Sequence, residues 1–299
     1  MNEKSLPQAL AINDWLADAT RQLVFAEISS ARLDSELILA HTLRKNRSYL
    51  HAHPEEKLAD RSIEIANARL SLRIERVPVA YIIGHKEFYG HTFAVSTATL
   101  IPRPESEVLI ELLKQVIPRN ISLLNENPLR LIDVGTGSGA LGITAKLLHP
   151  ELLVTLSDSS RHALKIAEKN ANDLEAVVGI LRSNLLADYP FTANIIIANL
   201  PYVDTSWKRS PETEHEPAEA LFAANNGKAL IFELLVQTKD KLINGGSLIL
   251  EADPEQHNAI ISEAKKYGLL LAQQDSYGLL FEKIANWYPE ADSSHTKVN

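Results

Sequence analysis

Between residues 5 and about 75 the apolar positions recur at helical spacing. The runs are Ala9-Leu10-Ile12-Trp15-Leu16, Leu33-Leu37-Ile38-Ala40-Leu43 and Ile63-Ile65-Ala66-Leu70-Leu72. Short gaps separate them, so the pattern predicts a small helical bundle over 1–76. Pro78 ends that region. Residues 79–95 (VAYIIGHKEFYGHTFAV) are aromatic and β-branched, with Gly84 and Gly90 as punctuation, and predict a β-hairpin within a linker over 77–103. From about Pro104 strand and helix patterns alternate. Strands are expected at 129–134, 152–157, 177–181, 195–198 and 247–251, and helices at 140–148, 160–171 and 229–241. This alternation predicts an α/β domain over 104–285, a doubly wound sheet covered by helices. Residues 286–299 are polar and expected to form a frayed tail.

Composition narrows the classes of activity. A chain of 299 residues suggests about two domains. Hydrophobic and charged shares of 45% and 23% are those of an ordinary globular protein. A formal net charge of -8 argues against a protein that grips nucleic acid through its phosphates. With no cysteine, disulfides, zinc-thiolate centres and thiol nucleophiles are excluded, which fits a cytoplasmic protein. The first residues, MNEKSLPQALAINDWL, hold no sustained apolar run of the signal-peptide kind, and no segment reaches bilayer-spanning length. A soluble chain with no membrane role is the expectation, and no metal site stands out.

Two places carry candidate chemistry. Leu131-Ile132-Asp133-Val134-Gly135-Thr136-Gly137-Ser138-Gly139 runs from a strand into a helix, so its glycines fall at the first βα turn. Glycines there permit positive φ and close approach of a ligand, and the helix beyond offers unpaired N–H groups. Asp158 ends the next strand about twenty residues on, where a carboxylate accepts hydrogen bonds from ribose hydroxyls. It could equally cap the following helix. The spacing is G-x-G-x-G rather than the dinucleotide G-x-G-x-x-G. A carboxylate at Asp133 suits a ligand with a free ammonium better than a pyrophosphate, which favours S-adenosylmethionine over a nicotinamide cofactor. Asp133 could also be a structural acceptor. The second place is Asn199-Leu200-Pro201-Tyr202, which closes the apolar run ANIIIA. The Asn199 amide offers one acceptor and two donors, suited to a flat NH2 group of an amide or nucleobase.

The acidic glycine loop, Asp158 and the Asn-x-Pro-Tyr motif together resemble the Rossmann-like methyltransferases that modify NH2 groups. Within that class the chain resembles the peptide chain release factor glutamine methyltransferase family. The specific likeness lies in Pro78-Val79-Ala80-Tyr81-Ile82-Ile83-Gly84, Phe88-Tyr89-Gly90 and Thr99-Leu100-Ile101-Pro102-Arg103-Pro104-Glu105-Ser106-Glu107. The resemblance implies S-adenosylmethionine as cofactor and release factors as protein partners. It places Gly135, Thr136, Gly137, Ser138 and Gly139 at the methionine end, Asp158 at the ribose, and Asn184 with Leu185 near the adenine. The family usually carries an acid where Asn184 stands, and Asn-Pro-Pro-Tyr where this chain has Leu200.

On that resemblance Asn199 and the Leu200 carbonyl would hold the substrate amide, and Tyr202 would pack beside it. A carbonyl survives the exchange of Pro for Leu, and Pro201 still restricts Leu200 to extended conformations. Arg103 is expected to brace the linker. Three rival readings share parts of the pattern: a glutamine methyltransferase for a ribosomal protein, an adenine-N6 nucleic-acid methyltransferase and a catalytically silent S-adenosylmethionine-binding module.

Overall fold

The structure is a computed structural model that describes residues 10–121 and 128–285. The tail expected over 286–299 lies outside the described residues. Two compact units divide the chain: one takes the residues up to His85 together with Ser210–His215, and the other takes Lys86–Arg209 and the residues from Glu216 onward.

The first unit is helical. Its helices are α1 (Ile12–Phe25), α2 (Ala31–Leu43), α3 (Arg47–Ala52), α4 (Asp60–Ile74) and α5 (Val79–Ile83). The buried stripe of α1, comprising Ile12, Trp15, Leu16, Ala19 and Leu23, packs with Ile38 and Leu39 of α2 and Ala66 and Leu70 of α4. Arg73 is buried, and its Nε donates to Asp34 Oδ2 at 2.7 Å. Its second arm donates to Glu212 at 3.0 Å, which ties 210–215 into this unit.

Residues 79–83 correct the expected hairpin. The β-branched VAYII forms α5, entered through Pro78 and closed by Gly84 at φ 78°. Ala80 and Ile83, three apart, bury one side of the turn, so burial overrides β-propensity here. The hairpin itself is shorter: β1 (His85–Phe88) and β2 (His91–Ala94).

The second unit is built on a seven-stranded sheet. In chain order follow α6 (Glu107–Ile121), β3 (Arg130–Val134), α7 (Ala140–Leu148), β4 (Leu153–Asp158), α8 (Arg161–Asp173), β5 (Gly179–Arg182) and β6 (Ala193–Ala198). Then come α9 (Ala218–Leu221), α10 (Ala229–Lys241), β7 (Leu242–Glu251), α11 (His257–Lys265), β8 (Leu269–Asp275) and β9 (Gly278–Lys283). The strand order is β5-β4-β3-β6-β7-β9-β8, parallel throughout except for β9, which runs antiparallel to both neighbours.

The two-residue period of the strands fills two cores. Leu131, Ile195, Ile197 and Ile249 face one, with Leu109 and Leu113 of α6 and Ile143 of α7. Ile132, Ile196, Leu248 and Leu250 face the other, with Ile231 and Leu235 of α10 and Ile260 of α11. Both faces being covered explains why β6 reads as an unbroken apolar run. No described helix is long and apolar enough to cross a membrane.

Candidate active site

Strands β4 and β5 lie to one side of β3, and β6 and β7 to the other. The direction of strand succession therefore reverses between β3 and β6, and a crevice opens at their carboxyl ends. Val134 and Ala198 are register partners there, so the loops after β3 and β6 leave the sheet side by side. The cleft has an empty volume of about 1080 Å³ including its open mouth.

The loop after β3 keeps Gly135, Gly137 and Gly139 at φ of 70°, 55° and 85°. These values favour residues without a Cβ. A Cβ on Gly135 would stand 2.9 Å from Leu200 Cδ2, which shows how closely the two loops approach. Thr136 donates its backbone N–H to Ser157 O at 2.9 Å. On the far side buried Asn170 of α8 donates to Ser138 O at 2.8 Å and pairs both backbone groups of Ala94 in β2. Gly135, Thr136, Gly137 and Ser138 line the cleft; Gly139 caps α7 behind them.

Asp133 makes the structural contacts expected of it. It is buried beneath the loop, away from the cleft lining, and its Oδ2 accepts from Thr136 Oγ1 at 2.6 Å and Gly142 N at 2.9 Å. Burial pushes its carboxyl up to about 6 against these two bonds. Through Oδ2 it braces the loop against α7, while its buried Oδ1 has no hydrogen-bond partner among the described residues.

Asp158 lines the cleft. Its Oδ2 accepts from Gly137 N at 2.9 Å and its Oδ1 from Ser160 N at 2.8 Å. The cap of α8 is Ser160, whose hydroxyl accepts from Ala163 N at 3.3 Å. Each carboxylate oxygen of Asp158 retains acceptor capacity toward the cleft. Burial raises its pKa, the two N–H groups lower it, and nearby Glu219 raises it again. Asn184 and Leu185 form the next stretch of wall; Asn184 Nδ2 donates to Glu233 at 3.2 Å, and Leu185 is buried at φ 52°.

Asn199, Leu200 and Pro201 line the cleft opposite the glycine loop. Asn199 Nδ2 donates to Ser106 Oγ at 2.9 Å. Leu200 is buried against Gly135. Tyr202 follows on the same turn. It packs with the second apolar core, outside the cleft lining, and its hydroxyl donates to Glu251 Oε1 at 3.0 Å. Burial, then the adjoining Glu251 carboxylate, push the Tyr202 phenol well above its ordinary range. Its flat ring therefore steadies the Asn-Leu-Pro turn from behind.

Three residues gain roles that the sequence left unassigned. Ser106 supports Asn199, Glu251 supports Tyr202, and buried Glu216 accepts from Ile101 N at 3.1 Å and from Arg103. Arg103 is thus paired as a brace while also lining the cleft. Glu251 had one available signal, an acid at the carboxyl end of a strand. Ser106 stood within the segment that carries the family likeness and Glu216 in another stretch resembling the family, but neither came with a role.

Two family models divide the chain. The PrmC N-terminal domain matches 14–84, and the Methyltransferase small domain matches 106–277. The release factor glutamine methyltransferase of Coxiella burnetii is 33% identical over 282 residues, covering 90% of this chain and 96% of that protein. The chain belongs to the release factor glutamine methyltransferase family. The Escherichia coli (strain K12) release factor glutamine methyltransferase is 34% identical over 82% of this chain and 87% of its own length. That of Koribacter versatilis is 37% identical over 79% and 86%. The two matched spans flank the β1–β2 hairpin, whose Ala94 is tied to α8.

Proposed function

We propose that the protein transfers a methyl group from S-adenosylmethionine to the side-chain amide nitrogen of the glutamine in the Gly-Gly-Gln motif of peptide chain release factors. The observation that carries this reading is the position of Asn199, at the end of β6 and across the cleft from the glycine loop.

The cleft's chemistry fits the cofactor. Gly135, Thr136, Gly137 and Ser138 line the cleft where the methionine end would lie, and Asp158 has acceptor capacity for ribose hydroxyls. Leu185 and Leu230 give apolar wall for the adenine, with the Asn184 amide to meet its edge. When bound, S-adenosylmethionine supplies an electrophilic sulfonium methyl. The chain's own task is to hold the acceptor. An amide nitrogen is a weak nucleophile because its lone pair is delocalised, so alignment at near-attack distance is the main requirement. Asn199 Oδ1 and the Leu200 carbonyl accept the two N–H bonds of the substrate amide and stabilise positive charge growing on nitrogen. The methylated amide then loses a proton to water, without a dedicated base.

The test is transfer of labelled methyl to purified release factor, ribosomal protein and DNA side by side. Label is expected on the release factor alone and absent when the motif glutamine is replaced by alanine. Label persisting in that control would refute the acceptor.

A further inference from the structure

We propose that Ser106 and Glu251 fix which way the Asn199 amide faces, making them positioning residues for the substrate amide; this rests on the function proposed above. An asparagine amide fits its pocket in two orientations that exchange oxygen and nitrogen. Only one presents oxygen to an incoming N–H, so a reversed amide would repel the acceptor it is meant to hold.

The bond from Asn199 Nδ2 to Ser106 Oγ, at 2.9 Å, selects the productive orientation if the serine oxygen acts as acceptor. A hydroxyl is also a donor, and a hydroxyl hydrogen turned toward Asn199 would satisfy the reversed amide equally well. Something must therefore claim that hydrogen. Ala198 and Leu250 are register partners, so Asn199 and Glu251 leave neighbouring strand ends side by side, and Glu251 is 1% exposed. Its Oε1 takes the Tyr202 hydroxyl at 3.0 Å, whereas buried Oε2 has no hydrogen-bond partner of good geometry among the described residues. Ser106, also buried, makes no other side-chain hydrogen bond of good geometry among the described residues. One donor without an acceptor and one acceptor without a donor thus lie together.

Burial raises the Glu251 carboxyl. Ser106 lowers it most among the neighbouring groups, followed by Tyr202 and Asn199, while Glu105 opposes them. An ionised Glu251 only accepts, so a chain running from Asn199 Nδ2–H through Ser106 Oγ–H to the open Glu251 Oε2 would have one permitted direction. Asn199 Oδ1 is left facing the cleft. The bonds join residues 93 and 49 positions apart, linking the turn before α6 to the ends of β6 and β7.

The experiment compares full-length wild type with Ser106→Ala, Ser106→Thr and Glu251→Gln. In 15N spectra the Asn199 side-chain NH2 pair, assigned by its disappearance in Asn199→Ala, should exchange slowly in wild type and Ser106→Thr. In Ser106→Ala and Glu251→Gln the pair should shift and exchange at least about 10-fold faster, as a freed amide does. With release factor as acceptor, kcat should fall about 10-fold or more in Ser106→Ala and Glu251→Gln. KM for S-adenosylmethionine should stay within about twofold, and Ser106→Thr should restore kcat. An NH2 pair indifferent to both substitutions overturns the proposal, as does a kcat unchanged in Ser106→Ala. The spectra need no turnover. A wild type that methylates no release factor would defeat the proposed function, while the NH2 pair still decides the orientation of Asn199.

Discussion

Asp158 Oδ2 accepts the backbone N–H of Gly137 at 2.9 Å, so the proposed ribose anchor and the glycine loop form one unit. Replacing the carboxylate removes a ligand contact and releases the loop together. Asp158→Ala should raise the Kd for S-adenosylmethionine about 10-fold or more, the scale of one lost charge-assisted hydrogen bond. Asp158→Asn keeps an acceptor and should lose less. Titration calorimetry of the cofactor distinguishes these; equal affinities in all three proteins would remove Asp158 from the site.

Gly135 and Leu200 meet where the two functional loops touch. Gly135→Ala places a Cβ 2.9 Å from Leu200 Cδ2 on a backbone at φ 70°, which costs about 1–2 kcal/mol in conformation alone. A lower melting temperature and weaker cofactor binding should follow. Truncation of Leu200 removes the steric part, so Gly135→Ala should cost less in a Leu200→Ala background. Strict additivity in that double-mutant cycle would show that the loops do not press on each other.

Asp133 makes stability depend on pH. Its folded pKa is raised from 3.8 to about 6, so the favourable contribution is present below about pH 4 and lost as pH rises through 6. A rise of about two pH units corresponds to at most about 3 kcal/mol. Asp133→Asn cannot ionise and keeps an oxygen for Thr136 and Gly142. Its stability relative to wild type should therefore increase from pH 4 to pH 8 in urea unfolding. A constant difference across that range would contradict this.

Glu216 joins the Ile101 backbone to Arg103 from a side chain 1% exposed. Glu216→Ala should cost about 2 kcal/mol, below the loss for a wholly buried pair because Arg103 is 36% exposed. Glu216→Gln should fall between. An unchanged urea midpoint in Glu216→Ala would remove this brace from the structure's support.

Much of the fold was legible because it follows local periodicity. Helix α10 stands at Ala229–Lys241, where the pattern predicts it, and the apolar run before Asn199 is β6. Other features have no local signature. Residues 79–83 are β-branched but too few to display a helical period. The antiparallel pair β8 and β9 was not foreseen, since the Gln273, Gln274 and Asp275 end of β8 lacks a buried apolar face. Glu212 joins the helical unit through an arginine 139 positions away. In the site, Asn199 and Asp158 were legible as polar groups at strand ends. Their supports, Ser106, Glu251 and Gly137, come from elsewhere in the chain and emerge only in the folded structure. The partner of Tyr202 was hidden for the same reason: an aromatic after a turn gives no sign of a carboxylate behind it.

The most direct test is mass spectrometry of the Gly-Gly-Gln loop peptide after incubation of release factor with S-adenosylmethionine and either wild type or Asn199→Ala. A single methyl on the glutamine side-chain amide is expected with wild type, and at least about 100-fold less with Asn199→Ala despite unchanged cofactor affinity. Methylation at any other residue, or an Asn199→Ala protein of near-normal activity, would contradict the clamp at the end of β6.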